Sequence, residues 1–522
     1  MIMSFAFRNG KSRNMKKILT LVILVISSQI IYSQTYKSGT ISSAETWSGT
    51  VYLTDSVVIT STVTINAGTR VLFKENYITL TVDGSGSIDA NGTSGNEIYF
   101  SADHDEDGNY GENAANNGSG DFDERGLQFI FYPTSTSTGS SSFEYCIFEF
   151  IENNSFGSLD ITRGNIEFDN CIIRKNSARY GAGAFIRRNA ILTLTNCIIE
   201  DNNASSLGGG FYLAAASTST EIKNCIIRNN SAGTNGGGLQ SNASSNSFIN
   251  CLIYSNSAGS LGSGVYLSNA NSSVEITNCV IANNTSSGGA KDFDFTGLEG
   301  KLPKLINTII WGSDIDTLND DRITIVNCAI QGFIDPEDHT SSFSLSSNNT
   351  ASDGPNFTDP DNDDYSIAFV SPCRDTGTVS NAPTTDFDGN SRIGNYDIGA
   401  YEVQYSRWTG GAADSEWSES TNWDESVYPG SSGSTGDIII PSSSSYPTAE
   451  TPNYTIASDK FLIVEPQAQV TFGTLTNSGG TFRHLSDETG IASVMFSSYS
   501  DSGTEDFEMY LTGGYYSPDA FK

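Results

Sequence analysis

The chain is predicted to be an all-β solenoid, a coil of short strands stacked turn on turn, followed by a smaller β-rich region. Three observations predict it. First, Asn-Cys pairs return at 170/171, 196/197, 224/225, 250/251 and 278/279, within the runs FDNCIIRKNSA, LTNCIIEDNNA, IKNCIIRNNSA, INCLIYSNSA and ITNCVIANNTS. Such a repeat is one small unit that cannot bury its own apolar face and is stable only when stacked on its neighbours. Second, a Gly-rich step follows the first four pairs, at 181–184, 208–211, 236–239 and 262–265. Third, only 17% of the 522 residues are charged, and Gly (51) outnumbers Pro (13). Ser, Thr and Asn fill the gaps between apolar runs, a mix that suits short strands and many turns.

At the N-terminus, Lys16 and Lys17 precede an apolar run at 18–26 and a small residue at Ser33. That order predicts a secretory leader over 1–33, with Met15 the natural start and 1–14 an upstream extension. The run is too short to span a bilayer, and no later segment reaches spanning length. The mature chain is therefore expected outside the cytoplasm, secreted or held at the outer cell surface. Residues 34–405 are assigned to the coil and 406–522 to the second region.

From 40 to 101, short β-branched runs at 50–53, 57–60, 63–65, 70–73, 78–82 and 98–100 are separated by turns at Asn66, Asp83 and Asn91. They predict an N-terminal cap and the opening turns. An acidic insertion follows at 102–126. It carries Asp103, Asp105 and Asp107 before Gly108, a spacing that turns three carboxylates toward one cation such as calcium. The twelfth position is Ala114, where an EF-hand needs a bidentate Glu. A calcium site and a plain solvated loop both stay open, and no other cofactor is expected.

In the repeats, Cys146, Cys171, Cys197, Cys225, Cys251, Cys279 and Cys328 share one phase. Stacked about 4.8 Å apart with parallel side-chain vectors, they are poorly placed for disulfides. Buried free thiols are expected, with bridges as the alternative that an exported chain raises. With Cys inward, Ile173, Ile199, Ile227, Ile253 and Ile281 point in as well. Phe168, Leu194, Ile222 and Ile276 point in from the preceding strand. The Asn before each Cys takes a left-handed conformation. A second row, Asn176, Asn202, Asn230, Asn256 and Asn284, marks the next corner. Residues 40–340 make on the order of eleven turns at about 4.8 Å each.

The F/L/I-x-N-C, N-x-A and G-G-G-Φ repeat resembles the right-handed parallel β-helix superfamily that includes pectate lyases (pectin lyase-like). It is more similar still to the polymorphic outer-membrane repeats of bacterial surface adhesins. Asn307-Thr308 and Asn327-Cys328 read as two decaying turns, with Thr308 in place of Cys. Residues 355–402 carry Asp386, Asp388, Arg392, Asp397, Tyr401 and Glu402. They resemble the closing segment of secreted β-helix proteins with choice-of-anchor modules, which implies a cap over an otherwise exposed strand edge. Three Trp within 408–423 open the second region, similar to C-terminal modules that precede a sorting signal. No such signal is visible before Lys522, and the sequence reads as truncated.

A net charge of −33 disfavours nucleic acid and anionic membranes as partners. Only three histidines occur, His104, His339 and His484, far apart in sequence, which disfavours a zinc site or a His-based triad. Asp375-Thr376-Gly377 matches an aspartic-protease tripeptide but occurs once. The outward positions of the Gly-rich strands are Asp160, Phe185, Tyr212, Gln240 and Tyr266, with Arg187 and Arg188 beside them. As a catalytic face this offers one carboxylate, Asp160, where a glycosidase needs two or three within about 5–10 Å. As a binding face its rings and donors suit a polysaccharide or cell-surface glycan; the alternative is that the rings only stack on one another. Ile172, Ile198, Ile226, Leu252 and Val280 form a second outward column, either a contact surface or an ordinary covered strip. The reading that results is a non-enzymatic secreted or surface protein, adhesive or glycan-binding. Its rival is a polysaccharide lyase or glycoside hydrolase on the same scaffold.

Overall fold

The computed structural model describes residues 34–516 with breaks at 75–77, 103–127, 133–139, 215–218, 243–244, 269–272, 288–291, 297–302, 313–322, 332–353, 370, 412–415, 424–428, 430–436, 443–445, 448–451, 459, 488–489, 492, 502, 508 and 512–513. The predicted leader and the acidic insertion with Asp103, Asp105 and Asp107 lie outside the described residues. So do His104 and His339.

Each full turn of the coil has four stretches. An approach strand such as Ser219–Lys223 leads to the Asn corner, and a cysteine strand such as Ile226–Arg228 follows. A short strand such as Ser231–Ala232 and a glycine-led strand such as Leu239–Ser241 complete it. Like stretches pair in parallel from turn to turn. In the cysteine sheet, eleven successive pairings join twelve strands, from Gln34–Ile41 to Ala329–Ile330. Register is kept residue for residue, as in Ile172, Ile198, Ile226, Leu252, Val280 and Ile309. Among the described residues there is no α-helix, and no helix is long and apolar enough to cross a membrane.

The core is the inner wall of this coil. The predicted inward sets, the cysteines with the isoleucines two residues on and the approach-strand Phe, Leu and Ile, are all buried in one cluster. All eight cysteines are free and buried. Backbone N–H groups of Cys146, Cys197 and Cys251 donate to the Sγ of the next turn at 3.3–3.4 Å. Thr308 takes over that part: its Oγ1 accepts from the Cys279 N–H at 3.5 Å and donates to the Ile306 carbonyl at 2.9 Å. Burial pushes the thiols of Cys146, Cys197 and Cys279 well up, and that of Cys328 to about 12.

Both corners are built by asparagine. Asn170, Asn196, Asn224, Asn250, Asn278, Asn307 and Asn327 all have φ between 46° and 54°, the left-handed region that Asn tolerates because its short side chain bonds locally. At the next corner the buried row donates Nδ2–H to the following Oδ1: Asn176 to Asn202, Asn202 to Asn230, Asn230 to Asn256 and Asn256 to Asn284, at 2.9–3.0 Å. Each Oδ1 also accepts a backbone N–H from the turn before, so these amides satisfy backbone groups that a corner leaves out of the sheet.

The segment 355–402 was expected to cap the end of the coil; it lies instead along the flank of the cysteine sheet. Tyr365, Ile367, Cys373, Ile398 and Ala400 cover Leu252, Val280, Ile309 and Ala329. The outward column predicted from sequence is thus covered over its later turns by a strap from the same chain. Burial of these aliphatics against the strap's apolar side chains holds it on the flank.

After Tyr405 a second set of parallel strands follows. Ser406–Arg407, Ile438–Ile440, Phe461–Val464, Thr481–His484 and Thr504–Phe507 form one sheet. Tyr454–Ile456, Gln469–Asn477 and Ser493–Asp501 form another. Their core holds Trp408, Trp417 and Trp423, the last in edge contact with both others at 5.2 and 4.8 Å between centroids.

Candidate functional site

The glycine-led strands place Asp160, Phe185, Tyr212, Gln240 and Tyr266 in a single register column, as predicted, and carry it one turn further to Asp294. Their neighbours Ile161, Ile186, Leu213 and Leu267 point into the core, so the column faces outward by strand alternation. Outward here does not mean exposed. Asp160, Phe185, Gln240, Tyr266 and Asp294 are buried, and only Tyr212 is partly accessible.

The glycine turns explain this. A Cβ on Gly208 (φ +67°) would sit 2.8 Å from the Tyr212 Cβ, and one on Gly236 (φ +68°) 2.6 Å from the Gln240 Cβ. The turn before each strand therefore folds back over the column, an approach that only a residue without Cβ allows. Along the column the rings cover each other. Phe185 and Tyr212 stack at 5.2 Å and 10°, and Tyr180 leans on both at 5.9 and 6.0 Å.

Asp160 is held by Arg187 in a two-pronged ion pair, Nε to Oδ1 at 2.8 Å and Nη2 to Oδ2 at 2.5 Å, with Thr162 adding a bond at 3.4 Å. Burial pushes its carboxyl up against the pull of Arg187 toward the charged form. The Arg187 guanidinium also lies over Phe156 (4.8 Å) and Phe185 (5.3 Å). Its position comes from a bulge: Arg187 and Arg188 together oppose Thr162, and Arg188 takes φ +58°. A bulge of this kind re-aims side chains on the bulged strand, and here Arg188 is left exposed.

Sequence reasoning named Arg187 but missed the second outward column, two residues on, to which it belongs: Thr162, Arg187, Ala214, Asn242, Ser268 and Thr296. The alternation that found the first column would have found it. Its later members fringe the rings with polar atoms. The Tyr212 hydroxyl and Asn242 amide are hydrogen-bonded at 3.2 Å, Ser268 bonds the same amide, and the Tyr266 hydroxyl meets Thr296 Oγ1 at 2.7 Å. Asn242 and Ser268 are half-buried and Thr296 is exposed.

The two carboxylates of the first column, Asp160 and Asp294, are five steps apart, about 24 Å at about 4.8 Å a step. A glycosidase pair stands about 5–9.5 Å apart. Among the described residues no group of three or more His, Cys, Asp or Glu could hold a metal ion. His484 ends a strand of the second core and meets none of the column residues by pairing.

No curated protein matches this sequence. Residues 131–281 match the family described as right handed beta helix region. Similar solved structures include pectate lyase Pel9A, 15% identical, covering 65% of this chain and 89% of that one at a TM-score of 0.30. PL6 family alginate lyase AlyGC is 10% identical, covering 86% of this chain and 68% of that one at 0.28. With parallel register running through the matched residues and beyond them in both directions, the coil of this chain is a right-handed parallel β-helix.

Proposed function

We propose that the protein is exported and binds a polysaccharide along the glycine-led face without cleaving it. The observation that carries this is the polar fringe of the ring column: Tyr212, Asn242, Ser268 and Thr296 present hydroxyls and an amide one turn after another, with the buried Tyr266 hydroxyl bonded to Thr296 behind them. Such edges recognise sugar hydroxyls, while the partly accessible Tyr212 ring offers an apolar face. Asp160 supports the non-catalytic half of the reading, because Arg187 already occupies both its oxygens. A general acid or base needs to reach a substrate proton.

The test is a glycan array probed with the wild type, with the pair Tyr212→Ala/Tyr266→Ala and with Asn242→Ala, which opens no core cavity. Loss of affinity by about tenfold, ~1.4 kcal/mol, is expected in both variants. Equal binding by all three would remove the face as the site. Release of reducing ends or unsaturated uronates from a bound polymer, abolished by Asp160→Asn, would overturn the claim that binding is all it does.

A further inference from the structure

The strap covers only part of the cysteine sheet's flank, and the way it is held shows what the rest of that flank can hold. In the covered turns the corner asparagines grip peptide units. Asn250 Nδ2 donates to the Thr385 carbonyl at 2.9 Å, and Asn278 Nδ2 to those of Asp397 and Gly399 at 3.1 and 3.0 Å. Asn307 Nδ2 donates to Thr378 at 2.7 Å, its Oδ1 accepts the Thr378 N–H at 2.8 Å, and Asn327 Nδ2 donates to Thr376 at 2.8 Å. Beside them the aliphatic column is buried under the strap's apolar side chains. On the far side Arg228, already paired with Glu200 at 2.9 Å, takes Asp363 of the strap at 3.1 Å.

The same three rows continue past the strap toward the N-terminus. Asn170, Asn196 and Asn224 share the left-handed backbone of the gripping asparagines, and Asn196 is exposed. Ile172 and Ile198 stand in register with Ile226, Leu252, Val280 and Ile309 and are only half-buried, while Ile226 packs against the strap's cluster and marks its edge. Arg174 pairs with Glu149 at 2.8 Å as Arg228 does with Glu200, two turns on.

We propose that these uncovered turns are a docking track for an extended polypeptide segment of a partner. Its carbonyls meet Asn170 and Asn196, small aliphatic side chains meet Ile172 and Ile198, and an acidic side chain meets Arg174. The occupant is a peptide because the asparagines, in every covered turn, recognise main-chain carbonyls, and because the track is continuous with an interface that already holds polypeptide. Recognition by main-chain bonds with side chains for specificity is how sheet-type peptide binding works.

The test uses the full exported chain and a fluorescein-labelled synthetic peptide copying residues 376–403, which contains all the gripped carbonyls. Saturable binding is expected. It should weaken at least tenfold in Ile172→Lys/Ile198→Lys and several-fold in Asn196→Gly, which keeps the left-handed turn while removing the amide. Tyr212→Ala, on a different face, should bind the peptide like the wild type. Circular dichroism of each variant checks that the coil is intact. No saturable binding, or equal binding by the Ile172/Ile198 variant, would overturn the proposal. So would displacement of the peptide by a Tyr212-dependent glycan, which would place it on the other face.

Discussion

At Asn224 and Asn230 the same residue type does two different jobs. Asn224 bends the chain at φ +51°, and its side chain makes only two long bonds near the surface, donating to Asn196 at 3.3 Å and accepting from Asn250 at 3.2 Å. Asn224→Gly should therefore change stability little, whereas Asn224→Val should cost roughly 1–2 kcal/mol for a left-handed backbone. The midpoint of urea denaturation separates the two. Asn230 works in the dry interior, where its Nδ2 serves the Ile199 carbonyl at 2.9 Å and its Oδ1 takes the Asn202 N–H at 3.1 Å. Asn230→Leu leaves both buried groups unmet at about 1–3 kcal/mol each, so its midpoint should fall further than that of Asn224→Val. The conformation of these asparagines was legible because phase and residue type agree. The burial of Asp160, Phe185, Gln240 and Tyr266 was not. Strand alternation gives direction, but cover comes from a turn folding back, which no periodicity encodes. Asp294 was missed for a simpler reason, since Gly288 and Gly289 stand out of step with the earlier glycines and Ala290, Lys291 and Asp292 precede Phe293; the alternation of Phe293, Asp294 and Phe295 was still there to be aligned.

Among elements, the strap is the part whose position the sequence concealed, because an open end and an apolar flank make the same demand for cover. Besides the asparagine grips, a buried arginine ties the strap's own turns together and to the coil. Arg392 reaches Glu402 at 2.9 Å, Asn250 at 3.1 Å and the carbonyls of Gly399, Ala400 and Tyr401. Removing one partner of a buried pair costs about 3–5 kcal/mol. Arg392→Met should thus free the strap to thermolysin while the coil keeps its circular dichroism. The strap should also respond to pH. Asp397 takes the Asp375 and Val403 N–H groups and lies near Glu402, so one arginine faces an excess of carboxylates. Burial first, then the Glu402 charge, pushes the Asp397 carboxyl well above the usual carboxylate range, and burial raises that of Glu402. A docked form with raised carboxyls binds protons more tightly than the undocked form. That contribution is complete below the ordinary value of about 3.9–4.3 and is lost as pH rises through the raised values. Thermolysin should accordingly cut the strap faster at pH 8 than at pH 5.5, relative to an unstructured control peptide. Asp397→Asn should flatten the difference.

Over the whole molecule, stacking of like on like was the most legible property, and it yields a direct chemical test. All eight thiols are free and inside. Iodoacetamide should leave the native chain unmodified and add eight adducts after denaturation without reductant, as read by intact mass; fewer adducts would mean bridges. The second parallel core was only half legible. Three tryptophans announced it, but its strands lack the Asn-Cys signature that marks parallel stacking in the first.

The two asparagine rows run side by side through the repeats with opposite sense. In the buried row each amide donates to the turn that follows, from Asn176 to Asn284. In the corner row Asn224, Asn250 and Asn307 donate to the turn before. Aligned amide dipoles add along a row, as peptide dipoles add along a helix. Here the two sums oppose each other, so each added turn contributes amide moments of opposite sense. A rod of this kind can be extended by duplication with its two amide rows still working against each other at every new turn.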